Sequence, residues 1–566
     1  MKQKLLFVSF IAFAFTHSAS AQLSGNYTIN SAQATGGTNF QSFTAFADSI
    51  NFNGVSGNVI TTVVPSSGPY VEQVTFDSIP GTDSTATVTL EGSGETITAL
   101  TDSTNRHVIR LTDVQYFTIN NLRIKRDTSS ASGFYAIHIF NTGNNITISN
   151  CYADMSGSNS TLVGGFIASG LETSILDNGD FHYLSFLNDT ANGGGYGVSV
   201  VGEFFPLADH ILISDNVFYD FHSNGVYLRE TDGAIVRNNH FDKSTSNITS
   251  VNAIQVAQNS NLNTSIYNNY IKVSQTNNGT VTFRGIYLFN GQGHRVYNNV
   301  IHDVNLVSGN FTGIEVRTAG MTSEIYFNTI SIDNAATSSG NLYGIIEGQS
   351  STNAILRNNI ISITQPTTGI KTGLVLGSLS PLNSFDSDYN DIWVPGGNTG
   401  MQNGAPPTLF FPTLSDWQAA TTRDSNSIAL DPVFTSAALP QPTNIAADNA
   451  GIPIAWITTD VLGFARDAST PDVGAYEFPS TIGTGEELSA TQTKIYPVPF
   501  SNTLNVSVRS NELTEIILYS ILSQKVLTQR FVGYASINTS RFPAGIYFYE
   551  LRNNKGVIGK GKVVKE

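Results

Sequence analysis

A single cysteine, Cys151, in 566 residues excludes a disulfide scaffold and any metal site built from several thiolates. Charged residues are also scarce, at 13% about half the usual share, which argues against a coiled coil or a charged helical array. Positive charge is short: 28 Lys and Arg against 43 Asp and Glu leave a net −15, a poor match for nucleic acid. After the N-terminus no segment approaches 18 uninterrupted apolar residues, so no membrane span is expected in the mature chain. P-loop, HExxH and GxSxG motifs are all missing. What is abundant is Gly (50), Phe (34) and Tyr (22), within 40% hydrophobic residues. That composition describes a chain that folds and does not stay disordered.

The first residues read as a secretory signal. Lys2 and Lys4 form a basic start, Leu5 to Phe15 an apolar stretch too short to span a bilayer, and Ala19-Ser20-Ala21 a cleavage site between Ala21 and Gln22. In a secreted chain Cys151 is expected to be a small core residue, not a nucleophile. Residues 494–566 carry ten Lys/Arg and four Glu, net +6, whereas the body between signal and tail is −23. Pro479-Ser480-Thr481-Ile482-Gly483-Thr484-Gly485 opens a flexible linker between them.

The tail alternates in strand-like runs at Leu504 to Val508, Glu515 to Ile521, Lys525 to Phe531 and Ile546 to Leu551, a small β-sandwich by pattern. It resembles the type A C-terminal sorting domain of type IX secretion cargo. The resemblance rests on Tyr496-Pro497-Val498-Pro499, Gly545-Ile546-Tyr547 and the closing Lys562-Val563-Val564-Lys565; Val498 stands where Asn is usual. It implies the type IX machinery as partner through residues 494–566 and export across the outer membrane of a Gram-negative cell. Removal of the tail, and release or attachment at the cell surface, are implied with it.

The body repeats. A small–aliphatic–x–aliphatic motif recurs at Ala136, Gly165, Gly197, Gly225, Ala253, Gly285, Gly313, Gly344 and Gly373, at intervals of 28 to 32 residues. About half a period later an Asn precedes an apolar residue: Asn216, Asn239, Asn269, Asn299, Asn328, Asn359 and Asn390. Six of these have an aliphatic residue three places earlier, from Ile213 to Leu356. A period near 30 with two strand-like motifs per repeat marks a solenoid. Short alternating runs rich in Ile, Val, Tyr and Phe, broken by Gly and Asn, are poor helix material. Each strand is expected to pair with its copy one coil on, about 4.8 Å away. The recurrent Asn is expected at a tight turn, its amide stacked on the next in a structural ladder. Loss of one, in Asn299→Ala, is expected to cost on the order of 1–3 kcal/mol, and a change at Asn277, outside the motif, much less.

The pattern is similar to the right-handed parallel β-helix family, which includes pectate lyases, polygalacturonases and non-catalytic surface proteins. The expected fold is all-β: a right-handed parallel β-helix with an N-terminal cap helix, an irregular C-terminal cap and a small β-sandwich sorting domain. The units are a signal at 1–21, a cap region at 22–57 and the β-helix at 58–394. A capping region at 395–478, a linker at 479–493 and the sorting domain at 494–566 follow. Phe40, Phe43, Phe46, Ala47 and Ile50 recur at helical spacing with Asn39 as N-cap and Gly54 beyond the end. Proline enrichment from Pro395 to Pro479 stops the regular coils, and Asp460, Arg466, Asp472 and Glu477 read as a salt-bridged cap.

Signatures of catalysis are missing. The hydrolase set Asn-Thr-Asp, Asp-Asp and Gly-His-Gly does not occur. Asp386-Ser387-Asp388-Tyr389-Asn390 opens like a calcium loop but lacks its sixth-position Gly and twelfth-position Glu. No metal or other cofactor is therefore expected, and Ca²⁺ has no support. What remains is positional. Outward rows are expected to align Tyr227, Gln255, Tyr287 and Glu315 beside Arg229, Ala257, Phe289 and Arg317, with Tyr219, Asp242, Lys272 and His302 in a second motif. Tyr227, Arg229, Tyr287, Glu315 and Arg317 are the candidate glycan-binding residues, since aromatics cover sugar faces and charged groups fix hydroxyls. Two functions fit: a secreted or cell-surface, adhesin-like protein that binds extracellular polysaccharide, or a polysaccharide lyase or glycoside hydrolase. Lys272, His302 and Arg317 are the base candidates of the second. Missing motifs favour the first.

Overall fold

The computed structural model describes residues 22–478 and 493–565, apart from 130–132, 246–249, 258–259, 276–280, 318–321, 349–353, 378–381, 383–384, 404–406, 439, 497, 502, 509–511, 522–523 and 555. The signal segment with Ala21, linker residues 479–492, Pro497 and Asn277 lie outside the described residues.

Each coil holds three short parallel strands where the sequence pattern suggested two. Around Tyr287 they are Thr282–Phe289, Arg295–Tyr297 and Val300–Leu306. The aliphatic residue three places before the Asn sits in the middle strand, which is too short to show an alternation of its own. Pairing runs coil to coil, in a register that holds through the column residues and shifts only locally, as at Phe140/Gly143 and Lys272/Ser274. Ile254, Ile286, Ile314, Ile345 and Leu374 align in the first ribbon, and Ile266, Val296, Ile325 and Leu356 in the second. Ile271, Ile301, Ile330, Ile361 and Ile392 align in the third. All are buried, so the core is a set of stacked aliphatic columns, each side chain worth about 1.5–3 kcal/mol of burial. The third ribbon has twelve strands, from Tyr70–Val71 to Asp391–Trp393, which makes about twelve coils of a parallel β-solenoid. The small residue of the first motif follows from the narrow interior. A Cβ on Gly313 would lie 2.8 Å from the Gly344 carbonyl oxygen and 2.8 Å from Cδ1 of Ile330.

Two adjacent residues divide the turn between the second and third strands. The left-handed one is not the recurrent Asn but the residue before it: Asp215, Asn238, Asn268, Asn298, Phe327, Asn358 and Tyr389 all have φ between 53° and 63°. Short polar side chains tolerate that conformation, hence the frequent Asn-Asn pair. The following Asn turns inward. Asn299 Nδ2 donates to Asn328 Oδ1 (3.0 Å) and to the Ile266 carbonyl (2.9 Å), and its Oδ1 accepts from the backbone N–H (3.1 Å) and Nδ2 (2.9 Å) of Asn269. The same pattern links Asn216, Asn239, Asn269, Asn299, Asn328, Asn359 and Asn390. It also extends earlier, to residues the Asn pattern does not contain. Asp189 N–H donates to Asn216 Oδ1 (2.8 Å) and Cys151 N–H to Asp189 Oδ1 (2.7 Å). Cys151 is buried, and burial pushes its thiol well above the usual range.

Just after the last ladder Asn, a carboxyl stands buried on the outward side of the third ribbon. Asp391 occupies the position held by Val300, Thr329 and Ile360 in earlier coils. It is fully buried, its Oδ1 accepts from Leu430 N–H at 3.0 Å, and burial pushes its pKa up to about 8. A carboxyl raised in the folded state contributes its full stability below its unfolded pKa of about 4, and that contribution is lost as pH rises through 8. Asp391→Asn cannot ionise. It is expected to exceed the parent by about 2–4 kcal/mol at pH 9 and to match it near pH 4, read from urea midpoints. A gap independent of pH would mean that Asp391 stays charged when folded.

The solenoid ends are closed differently. At the N-terminus helix α1, Phe43–Asn53, buries Phe43, Phe46, Ala47 and Ile50, and Gly54 follows it. Its N-cap is Ser42, whose hydroxyl accepts from Ala45 N–H at 3.0 Å; Asn39 instead lies in a short strand paired with Leu23–Ile29. Glu72 completes the cap by accepting from Phe43 and Thr44 N–H, a carboxylate at the positive end of the helix. Leu23–Ile29 pairs in parallel with Val55–Val63, so residues expected as pure cap already belong to the first coil. At the other end one more strand, Asn398–Gln402, continues the first ribbon, Leu409–Phe411 adds antiparallel, and helix α2, Leu414–Thr421, covers the core with Trp417.

Residues 424–478 are not an end cap. They return along the flank, over the turns that carry the left-handed residues. Asn358 exchanges bonds with Ile452 (2.8 and 2.9 Å), Asn298 Nδ2 donates to the Thr459 carbonyl (2.9 Å), and Ala475 N–H donates to Thr329 Oγ1 (2.8 Å). Residues 493–565 form a three-stranded and a four-stranded antiparallel sheet around Leu504, Ile516, Leu518, Phe531 and Leu551. This small domain lies against the same flank: Tyr534 stacks at 5.9 Å on His240 and 5.8 Å on Tyr270, and Lys494 Nζ lies 5.2 Å from the centre of the Phe464 ring.

Candidate functional site

The outward rows expected on the first ribbon are in register. Tyr227, Gln255, Tyr287 and Glu315 pair in sequence, as do Arg229, Ala257, Phe289 and Arg317. Their surroundings, however, divide the face in two.

The N-terminal half is roofed. The connection 170–179 between the strands Val163–Ser169 and Asp180–Leu187 folds over the ribbon, and Ile175 inserts among Tyr135, Ile167, Tyr196 and Tyr227. Tyr227 is only 6% exposed. Arg229 fastens this roof by donating to the Leu176 carbonyl at 2.6 Å and to Asn178 Oδ1. Neither is therefore open to a ligand as the outward register alone implies. Glu172 of the same loop accepts from His107 Nδ1 (2.7 Å), His138 Nδ1 (3.0 Å) and Arg106 N–H (2.7 Å), with Arg110 Nη1 at 3.6 Å. Burial would raise the Glu172 carboxyl, but the histidine hydrogen bonds hold it well below the usual range. His138 Nε2 bonds Ser169 Oγ at 2.9 Å, so Ser169, His138 and Glu172 stand in the order of a nucleophile, a base and its orienting acid. Both Ser169 and His138 are wholly buried, and burial lowers the basicity of His138. The chain of bonds pins the loop. Sequence reasoning missed this cluster; its one trace was the 32-residue interval between Gly165 and Gly197, which marks an insertion in that coil.

The C-terminal half is open. Tyr287 and Phe289 are partly exposed, with ring centroids 5.6 Å apart, and the Arg284 guanidinium lies 4.6 Å over the Tyr287 ring. Glu315 is 2% exposed and serves both flanking guanidiniums, Arg284 through Oε2 and Arg317 through Oε1 at 2.6 Å. Glu315 is thus a buried counter-ion that positions two arginines; it is not a ligand contact.

The three base candidates, Lys272 and His302 on the third ribbon and Arg317 on the first, are engaged. Lys272 Nζ sits 3.2 Å from Asp303 and 3.8 Å from Asp242; burial opposes its charge, but the two carboxylates raise its pKa. His302 is buried against the Ala437 carbonyl (3.2 Å), and burial lowers it to about 4. Arg317 is held by Glu315. Among the described residues no group of three or more His, Cys, Asp or Glu could hold a metal, and no helix is long and apolar enough to cross a membrane.

Residues 494–566 match the secretion system C-terminal sorting domain. The tail therefore marks export by type IX secretion, and the protein as secreted or on the cell surface of a Gram-negative bacterium. No curated protein sequence matches the chain. Among solved structures it is similar, at 12% identity, to the GH136 lacto-N-biosidase from Eubacterium ramulus (TM-score 0.37; 62% of this chain and 67% of that one). It is also similar, at 12% identity each, to pectate lyase Pel9A (TM-score 0.30; 81% and 98%) and to PfbA, a surface adhesin of Streptococcus pneumoniae (TM-score 0.32; 65% and 90%).

Proposed function

We propose that the exported protein binds an extracellular polysaccharide, as an adhesin-like surface or released protein, along the open half of the first ribbon. One observation carries this reading: Glu315, buried between Arg284 and Arg317, fixes two guanidiniums beside the partly exposed Tyr287–Phe289 pair. A flat aromatic surface with donors already held in place loses little side-chain freedom when a sugar chain arrives. The coils on either side place Gln255 and Arg317 about 5 Å away on the same face, so a sugar chain crossing the aromatic pair meets polar groups in both directions. The net −23 of the body favours a neutral or sparsely charged glycan. Catalysis is not part of the proposal, because Lys272, His302 and Arg317 are all engaged.

The test is retention of the full chain on a panel of neutral and acidic glycans. Tyr287→Ala is expected to weaken binding about tenfold, the equivalent of losing one ring stacked on a sugar, without moving the unfolding midpoint. A panel without any retained glycan, or equal binding by the variant, removes the proposal. Unsaturated products detected by ultraviolet absorbance in the same incubations would replace it with a lyase.

A further inference from the structure

The inner column that begins the first-ribbon strands changes character at its last member. Val251, Phe283, Phe311 and Leu342 align coil by coil and are buried, as the column requires. The next residue in register is Lys371. It is 9% exposed, and among the described residues its Nζ has one acceptor, the Pro395 carbonyl at 2.6 Å. An ammonium carries three N–H donors, so two are left over. A buried charge without a carboxylate is costly, and a lysine set into an aliphatic column breaks the rule that built the rest of the column.

Beside it lies a cavity of about 480 Å³ lined by Pro366, Thr367, Ile370, Lys371, Asn398 and Phe410 among others. This is within the range of small-molecule sites and large enough for one or two sugar rings. Gly396 and Gly397 also line it, and the chain passes close to the lysine there: a Cβ on Gly397 would stand 3.0 Å from Cγ of Lys371 and 2.7 Å from its carbonyl oxygen. Phe410 forms an aromatic rim, 46% exposed, and Pro366 and Ile370 add apolar wall. No Asp or Glu lines the cavity among the described residues.

We propose that this cavity binds a carboxylate carried on a six-membered ring, the acid group on Lys371 Nζ and the ring against Phe410 and Pro366. A bound carboxylate supplies the acceptors that the ammonium lacks, and a hydrogen bond between two charged groups is of the stronger kind. The site lies two coils beyond Glu315 and does not depend on the glycan reading of the open face.

The experiment is calorimetric titration of the full chain with glucuronate, benzoate and uncharged glucose at millimolar concentrations. Glucuronate or benzoate is expected to bind, and glucose at least about tenfold more weakly. Preference between the two acids distinguishes a sugar ring from an aromatic one. Lys371→Met suits the column of Phe283, Phe311 and Leu342, so the fold should persist while acid binding falls about tenfold or more. Phe410→Ala, at the exposed rim and clear of the core, should weaken acid binding severalfold and leave the unfolding midpoint unchanged. Binding of glucose as tight as that of the acids, unchanged affinity in both variants, or no binding of either acid would overturn the proposal. Tyr287→Ala is expected to leave these titrations as they are.

Discussion

Replacing Asn299 with alanine is expected to lower the unfolding free energy by about 3–5 kcal/mol, more than a single lost hydrogen bond would. Its Oδ1 is the acceptor for two buried donors of Asn269, and its amide serves the Ile266 carbonyl and Asn328 Oδ1. Alanine leaves the buried Asn269 N–H without its acceptor, at about 1–3 kcal/mol. It also removes one bond each from the Ile266 carbonyl, from Asn269 Nδ2, which keeps Val236 and Tyr267, and from Asn328 Oδ1, which keeps the backbone N–H of residue 299. The ladder continues in both directions, so the loss should spread to adjacent coils and the midpoint in urea should fall steeply. Asn26, exposed on the first strand, is the control; Asn26→Ala should change stability by less than about 0.5 kcal/mol. Equal midpoints for the two variants would show that the inward amides carry no special load.

Arg466→Ala is expected to free the returning segment from the flank. The guanidinium is buried and lies 3.8 Å over the Phe327 ring. It donates at 2.9 Å to Asn298 Oδ1 and to the Gly474 carbonyl, and pairs with Glu477 at 3.4 Å. Removing it takes the cation from the buried Glu477 carboxylate, at about 3–5 kcal/mol for a buried pair broken on one side. Burial and the Glu477 charge already push Asp472 up to about 7. The effect should be local. Faster amide exchange and protease cleavage within 452–478 are expected, with protection of the Asn ladder retained. If exchange in that segment matches the parent, the cation is not its anchor. The acidic residues that could pass for a catalytic cluster have a structural use here: Asp460 accepts from Leu462, Phe464 and Glu477 N–H, and Asp472 from Asn449 and Phe478 N–H.

The coil register was legible in the sequence because each strand pairs with its own copy one repeat later. Spacing along the chain is then equivalent to contact in space, and Ile286 over Ile254 or Asn299 over Asn269 can be read by counting. The same logic reached the outward rows, since alternation alone decides which side of a strand faces in. It reached Ser42 and the middle strands less well. Helix caps differ by a few tenths of a kcal/mol among Ser and Asn, and three-residue strands show no period.

Tyr227 and Tyr287 mark where counting ends. They hold the same position in the same motif, yet one lies under Ile175 and the other remains partly exposed. Register is a nearest-neighbour property, written in the chain by the repeat itself. What covers a face is set by aperiodic segments, the loop 170–179 and the segment returning from 424 to 478, whose bonds cross 53 residues at Arg229–Leu176 and 168 at Arg466–Asn298 and leave no period to read. The sequence by itself therefore determined the solenoid, its columns and the export tail. Only the tertiary structure decided which outward residues meet solvent, which carboxylates are counter-ions, and where a lysine stands in the core with donors to spare.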